Sequence, residues 1–373
     1  MKKILLTVCA LFLTFAAPLT AFEWGGLITN DTGIETPDFS DITFNQSNGV
    51  SLWFKSPVDA EGNFGFTGEL LYKYKYAKPK DVDGVFTNIF DVTLLKLSGD
   101  VEAGNGILSL DAGRFSYVDN SGKIISHTVD GIAVDYAVSL IKVGAFAGYT
   151  GLLNSLNGDV MSAGDYNDFY DMSYAYAPVG LSFELPYLLG NQSLGIQAYG
   201  LFDCGDLKTN LYYASLTLSG PVSNSVYYNV STVFGAVDFK DFMNYSGLSV
   251  LIFPTETIAI NAGVDFGSAA DDKLTAYYSP ISSDSADISS SITPKAGFTY
   301  GTDQMCFDLK GKYIIGYDYT DKKFTGSGAE IDTDFVYNIF SDLQVGLAAT
   351  AYIDTTPAKV NKYTVDLNIA LAF

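Results

Sequence analysis

The last eleven residues, Tyr363 to Phe373, read YTVDLNIALAF. Tyr363, Val365, Leu367, Ile369, Leu371 and Phe373 are apolar, whereas Thr364, Asp366, Asn368, Ala370 and Ala372 are polar or small. Successive side chains leave a β-strand on opposite sides, so alternation at period two makes one apolar face and one wet face. The length matches the ~9–11 residues that a tilted strand needs to cross a bilayer. An edge strand of a secreted sandwich would alternate in the same way, so the rest of the chain has to choose.

The rest of the chain repeats the pattern. About eighteen segments alternate, near 22–30, 48–56, 63–77, 86–98, 106–117, 129–139, 141–152, 173–185, 192–204, 208–219, 224–235, 242–252, 256–267, 292–301, 305–315, 329–340, 342–354 and 361–373. In one of them Phe64, Phe66, Leu70, Tyr72, Tyr74 and Tyr76 oppose Asn63, Thr67, Glu69, Lys73 and Lys75. Past Phe22 no run approaches the length of a membrane-spanning helix, yet 48% of the chain is hydrophobic, with 26 Tyr, 26 Phe and 36 Gly. That composition suits a barrel with aromatic belts at both membrane interfaces. A closed sheet also pairs every backbone N–H and C=O internally, which lipid requires.

A terminal strand with apolar residues at the last, third-last and fifth-last positions, ending in Phe, resembles the closing strand of bacterial outer-membrane β-barrels. The resemblance implies that Tyr363, Val365, Leu367, Ile369, Leu371 and Phe373 are the signal read by the barrel-assembly machinery. The expected fold is an all-β transmembrane antiparallel barrel of about eighteen strands, with sixteen as the alternative count. The connections expected to be short include Pro57 to Gly62, Pro186 to Asn191 and Gly220 to Ser223. Those expected to be long are Asp31 to Ser47, Lys78 to Val85, Val118 to Thr128, Leu153 to Met172, Ser268 to Ser291 and Gly316 to Gly328. Short periplasmic turns and long extracellular loops are the asymmetry of such barrels.

The N-terminus fits export. Lys2 and Lys3 precede the apolar run Ile4 to Ala17, and cleavage after Ala21 leaves residues 22–373 as one barrel domain. The expected location is the outer membrane of a Gram-negative-type envelope. Cys204 and Cys306 fall on different strands near opposite membrane faces, so no disulfide is expected between them.

The formal net charge is −21. Acids gather in three expected outer loops: Asp31, Glu35, Asp38 and Asp41; Asp159, Asp165, Asp168 and Asp171; Asp271, Asp272, Asp284 and Asp287. They solvate the loops, concentrate cations at a pore mouth, or bridge surface lipids through divalent ions, and the second group lacks the spacing of a calcium loop such as the EF-hand. An acidic surface argues against nucleic acid as a partner. By parity Glu69, Lys73, Lys75, Asp265, Asp308, Lys310, Lys312, Asp332 and Asp334 face the lumen, since charge on the lipid side costs ~2–4 kcal/mol at the midplane. Opposed basic and acidic walls would set a transverse field across a constriction.

Arg114, the sole arginine, lies in LDAGRFSY (Leu110 to Tyr117). Strict alternation points it at lipid; a bulge at Gly113 would turn it into the lumen and Phe115 and Tyr117 outward. The G-R-F run weakly resembles the constriction strand of general porins, which implies an inward guanidinium, and Arg114 joins the expected pore-lining set. His127 is placed in a loop, and no catalytic constellation, metal motif, phosphate loop or cofactor motif is present. The expected function is a porin-like channel for small hydrophilic solutes or ions, not an enzyme. The expected partners are membrane lipid and the assembly machinery, with a homo-oligomer open. The alternatives are a surface adhesion barrel working through its acidic loops, and a transporter of hydrophobic substrates. The last needs an N-terminal plug, for which the residues before the first segment are too few.

Overall fold

The computed structural model describes residues 22–39, 41–59, 61–158, 160–164, 169–188, 190–206, 209–269, 291–318, 323–355 and 360–373. The expected signal peptide, residues 1–21, lies outside them, as do Asp159, Asp165, Asp168, Asp271, Asp272, Asp284 and Asp287. All regular structure among the described residues is β. The strands are β1 Glu23–Pro37, β2 Thr43–Pro57, β3 Phe64–Pro79, β4 Val85–Ala103, β5 Gly106–Val118, β6 Ser126–Val138, β7 Ile141–Tyr149, β8 Tyr176–Leu188 and β9 Gln192–Asp203. They continue as β10 Leu211–Ser223, β11 Val226–Val237, β12 Asp241–Thr255, β13 Ile258–Ala269, β14 Ser291–Gly301, β15 Met305–Asp318, β16 Lys323–Asn338, β17 Leu343–Asp354 and β18 Lys362–Ala372.

Each strand pairs antiparallel with its sequence neighbours, and β1 pairs with β18, so the eighteen strands close on themselves. Closure runs from Leu27↔Ala372 to Pro37↔Lys362, and Gly26 and Phe373 exchange backbone hydrogen bonds of 2.9 and 3.0 Å just past it. A closed sheet has no edge to satisfy in lipid.

The two faces follow from the register. Val365, Leu367, Ile369 and Leu371 of β18 point outward and are exposed, as are Leu347 of β17, Ile331 and Phe335 of β16 and Leu309 of β15. Outward aromatics cluster at both ends of the barrel. At the end where the chain begins, Phe54 lies 6.3 Å from Phe22 and 5.8 Å from Phe66. At the other end Phe39 stacks on Tyr363 at 4.3 Å, Tyr76 on Phe86 at 4.4 Å and Tyr212 on Phe239 at 3.9 Å. Tyr363 and Phe373 thus bound about 33 Å of strand, which at a tilt near 40° spans about 25 Å, the height of the lipid-facing band of a membrane barrel.

Several boundaries differ from the sequence expectation. β1 continues to Pro37 and β2 starts at Thr43, so Asp31 to Ser47 is mostly strand, and Asp31 and Glu35 lie on the inner face of β1 rather than in a loop. There the outward residues include Asn30, Thr32 and Thr36. Above the hydrocarbon the outer face has no need to be apolar, so the alternation that marks a strand fades. β16 likewise starts at Lys323, before the expected 329, and β4 runs on to Ala103. His127 sits in β6, its Nδ1 2.7 Å from the Thr128 carbonyl, not in a loop. The long connections therefore reduce to 150–175 and 270–290, both at the end that also carries 38–42, 80–84, 119–125, 204–210 and 238–240. The opposite end is closed by short turns such as 104–105, 139–140, 224–225 and 256–257.

Candidate functional site

The inner face is identified by contacts that cross the barrel. Residues 119–125, between β5 and β6, reach β9: the Tyr117 hydroxyl accepts from Gln197 Nε2 at 2.7 Å, and the Asn120 N–H donates to Gln197 Oε1 at 2.7 Å. Gln197 faces Ser182 of β8 and Ser215 of β10, and pairing then carries the same face strand by strand round the ring. Through Ser215↔Val233↔Tyr245↔Gly267 it reaches Asp265 of β13. Through Asp265↔Thr293 and Thr299↔Asp308 it reaches Asp308, Lys310 and Lys312 of β15, and through Lys312↔Glu330 it reaches Asp332 and Asp334 of β16. Past β17, β18 and β1 it meets Lys73, Lys75 and Glu69 of β3 by Gly49↔Lys73, Ser47↔Lys75 and Trp53↔Glu69.

These charges are not arranged as opposed walls. Most inner lysines pair with a carboxylate on the same or a neighbouring strand: Lys295 with Asp265 at 2.7 Å, Lys310 with Asp308 at 2.7 Å, Lys312 with Glu330 at 2.9 Å and Lys96 with Asp111 at 3.1 Å. Acids without such partners among the described residues, including Asp31, Asp332 and Asp366, lie on β16 to β1, next to the lysines of β2 and β3. The expected transverse field gives way to charge that alternates around one half of the ring. Neighbouring strands lie only ~4.8 Å apart, so lysine and carboxylate reach each other along the wall before either reaches across.

The other half is aromatic. Tyr176 of β8, Tyr199 of β9, Tyr213 of β10 and Tyr245 of β12 point inward and are at most 6% exposed, because Ile124 and Ile125 of the 119–125 segment pack on them. Asp119 shapes that segment: its Oδ1 accepts from the N–H groups of Ile124 and Ile125, both at 2.9 Å. Lys123, at the tip, holds its ammonium 5.4 Å from the Tyr245 ring centre, a cation–π distance. Burial holds this ammonium below the ordinary lysine range, against the pull of Asp265 and Asp119. The segment narrows the interior from the β8–β12 side and presents a cation to the charged side. On the turn side of it, a recess of about 710 Å³ is lined by Lys55, Thr67, Lys96, Asp111 and Asp135.

Arg114 departs from its expected place. Gly113 does adopt φ +116°, but the β5–β6 register runs through it without a shift, so Phe115 and Tyr117 keep the inner face and Arg114 the outer one. Phe115 is 3% exposed against Val129 and Phe146, and Tyr117 stacks on Phe146 at 3.8 Å. The Arg114 guanidinium, 11% exposed, forks onto Asp130 of β6 with two contacts of 2.8 Å. It also donates to the Val92 carbonyl at 2.9 Å and the Leu152 carbonyl at 2.7 Å, and lies 3.4 Å from Asp91. It does not line the lumen. A positive φ at one residue bends the strand without adding a residue to it, so the parity survives.

Residues 150–158 and 169–175 fold back on the barrel. Lys75 donates to the Leu156 carbonyl at 3.1 Å, and Asn157 Nδ2 to Asp91 at 2.8 Å. Asp171, which sequence grouped with surface acids, is buried and accepts the Ser155 and Ser162 hydroxyls at 2.8 and 2.6 Å. Sequence reasoning missed Lys123, Lys295 and the inner tyrosines. Lys295 shares parity with Thr293 in a recognised segment and was legible there. The tyrosines were not, since an apolar parity was read as lipid-facing.

No family model matches the sequence, and no curated protein does. Solved structures match across nearly the whole chain. OccK3 (OpdO) of Pseudomonas aeruginosa superposes with a TM-score of 0.61 at 12% identity, covering 94% of this chain and 96% of that one. OccK7 (OpdD) of the same organism gives 0.60 at 11%, covering 95% and 99%, and OccAB4 of Acinetobacter baumannii gives the same values. These are outer-membrane porins of the OprD family. The chain has their fold. At such identity the likeness is one of architecture, a closed antiparallel barrel of eighteen strands, and the residues of the interior have to be read from this chain.

Proposed function

We propose that the protein is an outer-membrane channel that passes small hydrophilic solutes or ions by passive diffusion. One observation carries the reading: a closed eighteen-strand barrel is apolar outside between two aromatic girdles, and its inner face holds solvent-accessible charge, with Lys310 58% and Lys295 35% exposed. At this strand number the interior is too wide for side chains alone to fill. Charges on that face are solvated by a water column, and the same residues are then felt by whatever crosses.

Glu69, Lys73, Lys75, Asp265, Asp308, Lys310, Lys312, Asp332 and Asp334 form the pore wall in this reading, and Lys123 stands on the segment that projects into the interior. The Debye length at ~0.15 M salt is near 8 Å, so wall charges act across a narrow bore. Among the described residues Lys73 and Lys55 have no ion pair, which leaves both available to a passing anion. The turn end lies in the periplasm and the end carrying 150–175 and 270–290 faces outside. Residues 1–21 are removed on export, and β18 is read by the assembly machinery.

The test is a planar-bilayer recording of the refolded barrel. Stepwise conductance is expected, and replacing Lys73 and Lys75 with Gln should shift the reversal potential in a salt gradient towards cations. A folded barrel that never conducts would overturn the channel reading and favour adhesion through the outer loops.

A further inference from the structure

The wall is unzipped between β4 and β5. Among the described residues β4 and β5 pair from Ala103↔Gly106 up to Leu95↔Arg114 and no further, although β4 begins at Val85 and β5 continues to Val118. Above that point β5 stays zipped to β6, through Val118↔Ser126, and the two strands leave together for the interior. The departure occurs at Gly113, whose φ of +116° is closed to other residues and where a Cβ would meet the Leu95 carbonyl at 2.1 Å. The tip docks on β9–β12 through Tyr117, Asn120, Ile124 and Ile125.

The gap left behind is occupied by the connection between β7 and β8. The Phe90 N–H of the abandoned β4 edge donates to the Phe169 carbonyl at 3.2 Å, and Asn154 Nδ2 donates to the carbonyls of Phe90 and Phe169. One side chain ties all the parts together. Arg114 holds β6 through Asp130, β4 through Asp91 and the Val92 carbonyl, and the β7–β8 connection through the Leu152 carbonyl and the Tyr170 hydroxyl. A planar guanidinium forks two donors onto Asp130 and has three left for the other elements; an ammonium has three donors on one atom and no fork.

We propose that residues 114–130 form a hinged constriction, with Gly113 as the hinge and Arg114, Asp130 and Asp91 as a latch that holds it inside the barrel. The strand edges at the gap explain why a latch is needed. The ladder between β5 and the upper half of β4 could continue past Leu95↔Arg114, and such rezipping would draw the tip out of the lumen. On the β4 edge the Phe90 N–H and the carbonyls of Phe90 and Val92 are instead bonded to Phe169, Asn154 and Arg114. Arg114 is in this sense a positioning residue that sets the bore without touching the solute.

The proposal rests on the channel reading for its conductance readout, so a second readout is independent of it. Nitroxide labels at Ser121 and Lys240, introduced as cysteines in a Cys204→Ser/Cys306→Ser background, report the distance from the tip to the rim by pulsed electron resonance. The intact latch should give one narrow distribution. Asp130→Asn and Arg114→Lys should broaden it or add a longer distance, with Arg114→Ala the strongest if it folds. In bilayers the same variants should show a larger conductance state. A short bis-thiol bridge between Asn120→Cys and Gln197→Cys should return them to the unmodified value. Unchanged distances in the folded Asp130→Asn and Arg114→Lys variants would overturn the latch, and so would a larger conductance that the bridge fails to reverse. A silent wild-type barrel with broadened distances in the variants would sink the channel reading and leave the latch standing.

Discussion

Placing arginine at two adjacent residues of β18 tests the assignment of the faces directly. Leu367 points outward, 42% exposed, beside Leu347 of β17 and Thr32 of β1. It lies four residues from Tyr363 and six from Phe373, which mark the two girdles. At about 3.3 Å per residue these are about 13 and 20 Å of strand, or about 10 and 15 Å of depth at a tilt near 40°. Leu367 therefore sits close to the bilayer midplane, where arginine costs ~2–4 kcal/mol. That is a loss of roughly 30- to 700-fold in the folding equilibrium. Asn368 points inward, paired with Asp31 and Gly346 and one pair along from Leu367, and an arginine there would meet water and nearby carboxylates. The assay is equilibrium urea titration of the barrel in vesicles, with heat-modifiable mobility as the folded signal. Leu367→Arg should lose the stated stability and Asn368→Arg little. Equal losses, or a larger loss at Asn368, would refute the face assignment and the barrel orientation of every strand tied to it by register.

Three further outcomes are expected. Burial holds the Lys123 ammonium below the ordinary lysine range, so the folded state binds that proton less readily than the unfolded state. Stability should therefore rise with pH through the lowered value and level off past ~10.4. Lys123→Gln should abolish this rise and move the reversal potential towards cations, and a variant that keeps the wild-type pH profile contradicts the placement. Epitope tags at Ala163–Gly164, which are exposed, or within 270–290 should be reached by antibody on intact cells and a tag at Asn224 should not; the opposite pattern inverts the topology. Deleting Phe373, or Leu371→Asp, should leave the chain unassembled in the periplasm, and normal surface levels would remove the terminal strand from the assembly signal.

The sequence by itself determined the architecture. Period-two alternation is a local property, written into each strand by the contrast between lipid and water, and it marked segments at Phe64 to Tyr76, Ile258 to Phe266 and Tyr363 to Phe373 wherever both solvents were present. It also sorted Lys73, Lys310 and Asp332 from their outward neighbours. It weakened where the contrast weakens. Asp31 and Glu35 were read as loop because β1 rises above the lipid, and Tyr199, Tyr213 and Tyr245 were unreadable because the chain itself covers them with Ile124 and Ile125. The interior belonged to tertiary structure. Nothing within LDAGRFSY states that β5 parts from β4 at Gly113, because that depends on Asp91, Asp130 and Leu152, which are near Arg114 only once the barrel has closed. Alternation assigns a side chain to a face; which groups then meet across that face is set by strand number, register and the loops that turn inward, and those are properties of the whole ring.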